Sequence, residues 1–433
     1  MTKKSITLLT ALALCGVANA TNLKILTLGE GTVGIDYPAI MGFGISPDGK
    51  YVCGSLEYGV GYFVINVDTN EYAWAMSDDP EGAELRNVDN NGLAIGYNGP
   101  GVTYSIDEVE TELPTPDSTY KYVLGEDLTL NGSLMVGSLV GSGYVSYPAY
   151  SKDGEEWTLL PLPSDEEMGY YQGKGGAAKC VSSDGKVIAG YIGSYGPAVI
   201  WRMNDAGEYE IDPIYSDYIT VSADEEKEFL QFSVAGLSDN GKYVLISAAD
   251  RADDGRGRLV PIIYDTTTGE LTEYLEPQDI DTYQLGLTPI AIADNGTFVG
   301  VVGRVMETTG TFIMRAGETQ AEMFVDAFPE YAETFSLLDL VGCHTPTGMS
   351  ADGRYILGYG YYSENPYDDD GYYYFMTYVL DTTGGSGVEC VNEAVSDAVA
   401  TDYFTIDGRR ISAPQKGINI VRMSDGSIRK VMK

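Results

Sequence analysis

The chain has 433 residues, 44% hydrophobic and 21% charged, with 64 Asp and Glu against 26 Lys and Arg and a formal net charge of −38. That length exceeds one ordinary compact domain and fits either several domains or a single large all-β one. The negative balance argues against nucleic acid and anionic membrane surfaces as partners.

Residues 1–20 read as an export signal. "MTKK" is a basic n-region, "SITLLTALALCGV" a short apolar h-region, and "ANA" a small-residue cleavage site after Ala20. The apolar run is shorter than a bilayer span, and no other segment reads as transmembrane. Cys15 invites comparison with a lipoprotein, but Leu14 stands where lipidation requires a small residue. The mature chain is therefore expected at the cell surface, outside the cell or in the periplasm. It keeps Cys53, Cys180, Cys343 and Cys390, which allow three pairings; their irregular spacing suits isolated buried thiols equally well.

From residue 21 to 385 one phrase recurs. It reads "ISPDGKYVCG" at 45, "VSSDGKVIAG" at 181 and "MSADGRYILG" at 349, and its turn glycine recurs seven times: Gly49, Gly92, Gly132, Gly185, Gly241, Gly296 and Gly353. Asp-Gly and Asn-Gly between apolar runs signal two-residue hairpins, whose central residues both need positive φ. Each turn is followed by a β-rich run, a Gly-rich loop and a second run such as "GYFVINV" or "PAVIW". In several copies a tight turn ("DTNE", "DTTTGE") and a fourth strand ("YAWAM", "LTEYL") come next. Four strands per unit of roughly 40–55 residues predict propeller blades.

Seven copies predict an all-β, seven-bladed β-propeller. The last copy lacks an obvious fourth strand, while "NLKILTL" at 22–28 precedes the first with no partner. The N-terminal strand is therefore expected to complete blade seven and remove an open sheet edge. Helix patterns are weak, and only "SADEEKEFLQF" reads as a short helix. The fourth copy resembles an extracellular repeat family of exported bacterial proteins, through Ser182 or Ser183, Asp184, Gly185, Gly190, Ala198 and Trp201. That resemblance implies a propeller-like fold.

Residues 386–400 are small and polar, like a linker, and a small β module follows. Residues 401–433 carry seven Lys and Arg against three Asp and Glu, whereas residues 21–400 carry 17 against 61. Such a charge break marks a separate module, read as three short strands with turns at Asp407-Gly408, Pro414 to Gly417 and Asp425-Gly426. The tail resembles the C-terminal sorting domain of the type IX secretion route of Bacteroidota, through Asp407, Gly408, Arg409, Arg410, Gly417, Gly426 and Lys430. It departs from that pattern at Asn419, where the family often has Tyr, and in its short length. The resemblance implies the secretion machinery as a partner.

Motifs that would carry chemistry are sparse. "SKDGEEW" (Ser151, Asp153, Gly154, Trp157) resembles the Asp-box of sialidases one residue short, and that motif is a hairpin turn. "NVDNNG" imitates half a Ca²⁺ loop but has Asn98 where a bidentate Glu is required, and reads as a hairpin. "YDDDGYYYF" reads as an acidic solvated loop. His344, the single His, reads as structural, and no nucleotide, metal or cofactor fingerprint is present.

The chain is thus expected to be a binding or interaction propeller with a carbohydrate or protein ligand; a glycan-active or other hydrolytic enzyme is the alternative, and a surface-layer component a third reading. In a propeller the loops joining second and third strands lie opposite the Asp-Gly turns. Here those loops are rich in Gly and Tyr, including Tyr58, Tyr62, Tyr97, Tyr144, Tyr147, Tyr191, Tyr195, Tyr361, Tyr362 and Tyr367. Tyr supplies flat apolar area with a hydroxyl at small entropic cost. The binding candidates are Tyr361, Tyr362, Tyr367, Tyr195 and Tyr144.

Overall fold

A computed structural model describes residues 22–28, 39–56, 59–77, 82–163, 175–193, 198–213, 229–251, 257–273, 286–304, 307–318, 320–339, 342–363, 373–383, 400–405, 410–411, 418–423 and 428–432. They fall into two units, Asn22–Thr383 and the tail strands within Gly384–Lys433. The export signal, the linker and the "YDDDG" loop lie outside the described residues.

The first unit is a seven-bladed β-propeller of four-stranded antiparallel sheets, each in sequence order apart from the last. The inner strands are Ile40–Ile45, Ala83–Val88, Tyr120–Leu128, Gly176–Val181, Phe229–Leu237, Leu287–Ile292 and Thr345–Met349. Third strands such as Gly61–Asn66 and Ala198–Met203 are buried on both faces, because each blade is sandwiched between two neighbours. The alternation of a one-sided sheet is correspondingly lost.

The repeated turns are built differently from the two-residue hairpins expected. Only the glycine is left-handed, with φ of 76° at Gly49 and 68° at Gly185, and neither Asp48 nor Asp184 joins it. The glycine N–H bonds back three residues, as from Gly49 to the Ser46 carbonyl at 2.8 Å. The Ser46 hydroxyl donates to Asp48 at 2.8 Å and accepts the Tyr51 N–H at 2.9 Å. Ser182, Ser238 and Ser350 repeat this arrangement. In "NVDNNG" the Asp89 carboxylate replaces the hydroxyl and accepts the Asn91 and Leu93 N–H groups. Among the described residues, the Asp-box-like Asp153-Gly154 does place both turn residues at positive φ, at 59° and 75°.

Every inner strand carries a β-bulge at the same place. The register shifts at Phe43, Arg86, Glu126, Lys179, Ala235, Ile290 and Thr347, each six residues before its turn glycine. The second-strand residue paired just before the bulge is Gly54, Gly96, Gly137, Gly190, Gly300 or Gly358, with Ile246 as the exception in blade five. Side chains would not fit there: a Cβ on Gly137 would lie 2.0 Å from the Leu124 carbonyl oxygen, and one on Gly190 2.0 Å from that of Ala177.

Seven apolar clusters form a ring, one at each seam between neighbouring blades, and a smaller eighth joins Ala39 to Tyr359 and Phe375 of blade seven. Closure is as expected. Leu23–Leu26 pairs antiparallel with blade seven, in register from Leu23↔Leu380 to Leu26↔Thr377. Leu23 packs into the cluster between blades six and seven, while Leu26 and Leu28 pack with Ile40, Phe63 and Ile65 of blade one. Thr377 adds a lateral tie, donating to the Ile40 carbonyl at 2.6 Å and accepting the Gly42 N–H at 2.9 Å.

Two readings need correction. Phe229–Leu237 is strand, so the end of "SADEEKEFLQF" is extended; its start lies outside the described residues. Short helices do occur, at Phe324–Ala327 and Ala332–Leu338 between blades six and seven, where Phe324, Phe328, Phe335 and Leu338 are buried. The tail contains four strands where three were read, Ala400–Thr405, Arg410–Ile411, Ile418–Met423 and Ile428–Met432, with the first long strand central beside the third. Cys53, Cys180 and Cys343 are free thiols, and Cys390 lies outside the described residues.

Burying Leu23, Leu26 and Leu28 stabilises the ring by roughly 5–9 kcal/mol at about 1.5–3 kcal/mol each. Deleting residues 21–30 is therefore expected to lower the melting temperature by about 10 °C. An unchanged transition in a calorimetric scan would contradict closure by this strand.

Candidate functional site

The bulges converge on the propeller axis. All seven bulge residues line one central cavity of about 220 Å³ walled by every inner strand. A bulge places an extra residue where the ladder does not use it, so each of these side chains is free to face the channel. Six are partly exposed and Glu126 is buried.

The ring divides into two arcs. Blades two, three and four contribute Arg86, Glu126 and Lys179; blades five, six, seven and one contribute Ala235, Ile290, Thr347 and Phe43. In the charged arc, Glu126 is shared. One oxygen takes Arg86 and the other takes the Lys179 ammonium at 2.5 Å. Arg86 also holds Glu84, through Nη2 at 2.7 Å and Nε at 2.8 Å. Burial disfavours the Arg86 cation, but Glu126 and Glu84 overcome this and hold its pKa above the ordinary value. The Arg86 and Lys179 side chains are 30% and 31% exposed and Glu126 only 8%, so two cations face the channel over a buried carboxylate. On the opposite arc, the Phe43 ring is braced edge-to-face by Tyr359 at 6.2 Å.

The next residue along carries a second layer. Asp127 bridges three blades: it accepts from the Asn87 amide, from the Leu128 N–H at 2.8 Å and from the Val181 N–H at 2.8 Å. Burial pushes its pKa up to about 7, against the lowering effect of those hydrogen bonds. Farther on, the repeated turns tie to one another. Backbone bonds run from Asn90 to Leu130, Ser183 to Asp239, Asp294 to Ala351 and Ala351 to Pro47. Asp239 lines the cavity at this end, and burial lifts its pKa to about 6 while its bond from Ser183 opposes the shift.

The residues singled out from sequence are spread more widely. Tyr144 is 70% exposed, with φ 59° and the Lys121 ammonium 4.2 Å from its ring. Tyr361 is half-buried with its ring 4.0 Å from that of Phe375. Tyr362 pairs with Tyr374 in the blade-seven ladder. Tyr195 and Tyr367 lie outside the described residues, as do Tyr58, Asp407, Gly408, Arg409, Gly417 and Gly426. Arg410 and Lys430 are in tail strands. Tyr62 is core, fully buried and edge-to-face with Tyr104 at 5.1 Å. Among the described residues, Tyr144 belongs to blade three and Tyr361 and Tyr362 to blade seven, and the side chains that line the axial channel are ones the sequence reading did not single out. The available signal was "RNVDNNG", "EDLTLNG" and "KCVSSDG": a charged residue in an inner strand six places before the turn glycine.

Among the described residues no group of three or more His, Cys, Asp and Glu is placed to hold a metal ion. His344 is a core residue: its Nε2 meets the Tyr378 hydroxyl at 2.8 Å, its Nδ1 meets Thr311 at 3.3 Å, and it stacks on Phe335 at 5.3 Å. Burial lowers its pKa to about 3 from 6.5. Its contribution to stability is therefore present above pH 6.5 and lost as pH falls through that value toward 3. The stability advantage of the wild type over H344N, read by urea unfolding, is expected to shrink by about 2 kcal/mol from pH 6.5 to 4.5. A constant difference would show that the imidazole takes up a proton in the fold.

No protein-family model matches the chain. Nor does any curated protein match it. Solved structures do. An oligogalacturonate lyase from Vibrio parahaemolyticus is 11% identical with a TM-score of 0.50, over 83% of this chain and 97% of that one. Hydrazine synthase from Kuenenia stuttgartiensis is 16% identical with a TM-score of 0.46, over 75% and 93%. At such identity the likeness to the lyase is one of fold alone.

Proposed function

We propose that the chain is an exported binding propeller, displayed at the cell surface or released, that takes a carbohydrate or protein ligand on the face opposite the repeated turns or in the axial cavity, whose lining runs from the bulges toward the turns. The observation that carries this reading is the divided ring: one axial cavity, reached by all seven blades, with a charged arc facing an uncharged one of Ala235, Ile290, Thr347 and Phe43. A concave site with a few directed polar groups suits a ligand. A hydrolytic reading draws on the carboxylates lining the channel, Glu126, Asp127 and Asp239. Glu126 is held by two cations, Asp127 by three donors and Asp239 by Ser183, so all three are tied into the blade framework, and burial lifts Asp127 to about 7 and Asp239 to about 6, a feature this second reading shares with acid–base sites.

Export rests on the signal-like first 20 residues and on the tail's resemblance to a type IX sorting domain. Two experiments test the proposal. The chain lacking residues 1–20, applied to a glycan array and to candidate surface proteins, is expected to bind a defined ligand. Substituting Tyr361, Tyr362 and Tyr367 by Ala should abolish capture without altering the circular dichroism spectrum; full retention would place the ligand elsewhere. Removing residues 401–433 should leave the propeller's melting transition in place and shift the protein between cell fractions, whereas an identical distribution would make the tail a structural appendage.

A further inference from the structure

The charge balance of the channel narrows the ligand. Arg86 and Lys179 are matched by Glu84 and Glu126 within the arc, and Asp127 and Asp239 line the same cavity nearer the turns, so carboxylates outnumber cations. A site for a free anion would carry an excess of positive charge, the more so in a chain whose overall field is strongly negative. The arc instead suits a ligand whose groups both donate and accept. Hydroxyl groups do this: each can accept from Arg86 or Lys179 and donate to a carboxylate of the same arc.

The other arc sets the remaining requirement. Phe43, Ile290 and Ala235 present aromatic and aliphatic surface, so the ligand must be apolar on one side and hydroxylated on another. The cavity, about 220 Å³, lies below the roughly 300–1,000 Å³ of pockets for drug-sized ligands, which suits a single small ring. Resting on the binding reading above, we infer that the channel is a subsite for one neutral sugar residue. Its hydroxyl edge lies against Arg86, Glu126 and Lys179, and its C–H face against Phe43. Free monosaccharides and the terminal unit of a longer glycan share this chemistry.

The test uses the chain lacking residues 1–20 and saturation-transfer NMR. The probes are glucose, galactose, mannose and N-acetylglucosamine, with glucuronate and alanine as charged comparators. At least one neutral sugar should receive saturation and hold it at about 1 M NaCl, where the Debye length is only about 3 Å. Its affinity should fall about ten-fold or more in both Lys179→Met and Phe43→Ala. Glu126→Gln serves in place of either variant that fails to melt cooperatively. A terminal-unit preference would appear as stronger transfer from the matching oligosaccharide, with the same dependence on the two variants.

Transfer confined to glucuronate or alanine overturns the inference, as does neutral-sugar transfer that both variants leave unchanged. Glycan-array capture that survives both variants would keep the binding reading and remove the channel as its site. The absence of saturation for every probe, together with a silent array and no capture of the candidate proteins, would remove both.

Discussion

One local constraint organises the propeller: the inner strand of each blade holds one residue more than its partner, and the partner gives way. At Leu124 and Ala177 the inner-strand carbonyl comes so close to Gly137 and Gly190 that no side chain fits between them. The close approach offsets the register, and the extra residue is released from the ladder. From that point outward the strand resumes packing duty: Ile45, Leu128, Val181 and Ile292 belong to the clusters that join one blade to the next. The released residue is not one of the buried members of a blade seam, although Phe43 and Ala235 pack against the edges of neighbouring clusters, and its identity varies. Phe, Arg, Glu, Lys, Ala, Ile and Thr occupy equivalent places while the glycine opposite them persists in six blades.

The ionic arc is better understood as positioning than as stabilisation. Exposed ion pairs contribute about 0–1 kcal/mol, and burying a carboxylate is costly unless its partners are well placed. Glu126 meets that condition because two cations reach it from opposite sides, each anchored in a different blade. Asp127 sits in the same strand and bonds to blades two and four. The two neighbours thus fix three inner strands relative to one another. In physical terms, the polar arc is rigid because the groups that would orient a ligand are also the groups that align the blades.

Most of the architecture was legible in the sequence, because it is written in short-range chemistry repeated seven times. The turn glycine, the Ser hydroxyl that caps the turn and the orphan strand at residues 22–28 are each visible in a window of ten residues. The turn type was misread because Asp-Gly is shared by two kinds of hairpin. What separates them is the Ser three places before the glycine, whose hydroxyl closes the wider loop. The helices at Phe324–Ala327 and Ala332–Leu338 escaped notice because they are short and interrupted at Pro329, leaving no sustained period. The channel was hidden for another reason. A bulge inverts the alternation from which inward and outward positions are read, so Arg86, Glu126 and Lys179 look like ordinary outward residues until the register is known. Tyr62 misled in the opposite sense, since its place near a Gly-rich loop suggested exposure although its ring fills the seam between blades one and two.

The closing strand also determines how the propeller responds to pulling. The Asp381 N–H bonds to the Asn22 carbonyl at 2.6 Å, so the two ends of this unit leave it side by side. Tension applied between them opens the Leu23–Leu26 ladder from that end, one bond at a time, rather than loading all its bonds in shear. Such a seam gives way at low force. Held through one end only, the same ring carries no load across the seam, and drag on a bound ligand is distributed over the seven inner strands. A single tether is therefore the mechanically safe way to hold this molecule in flow.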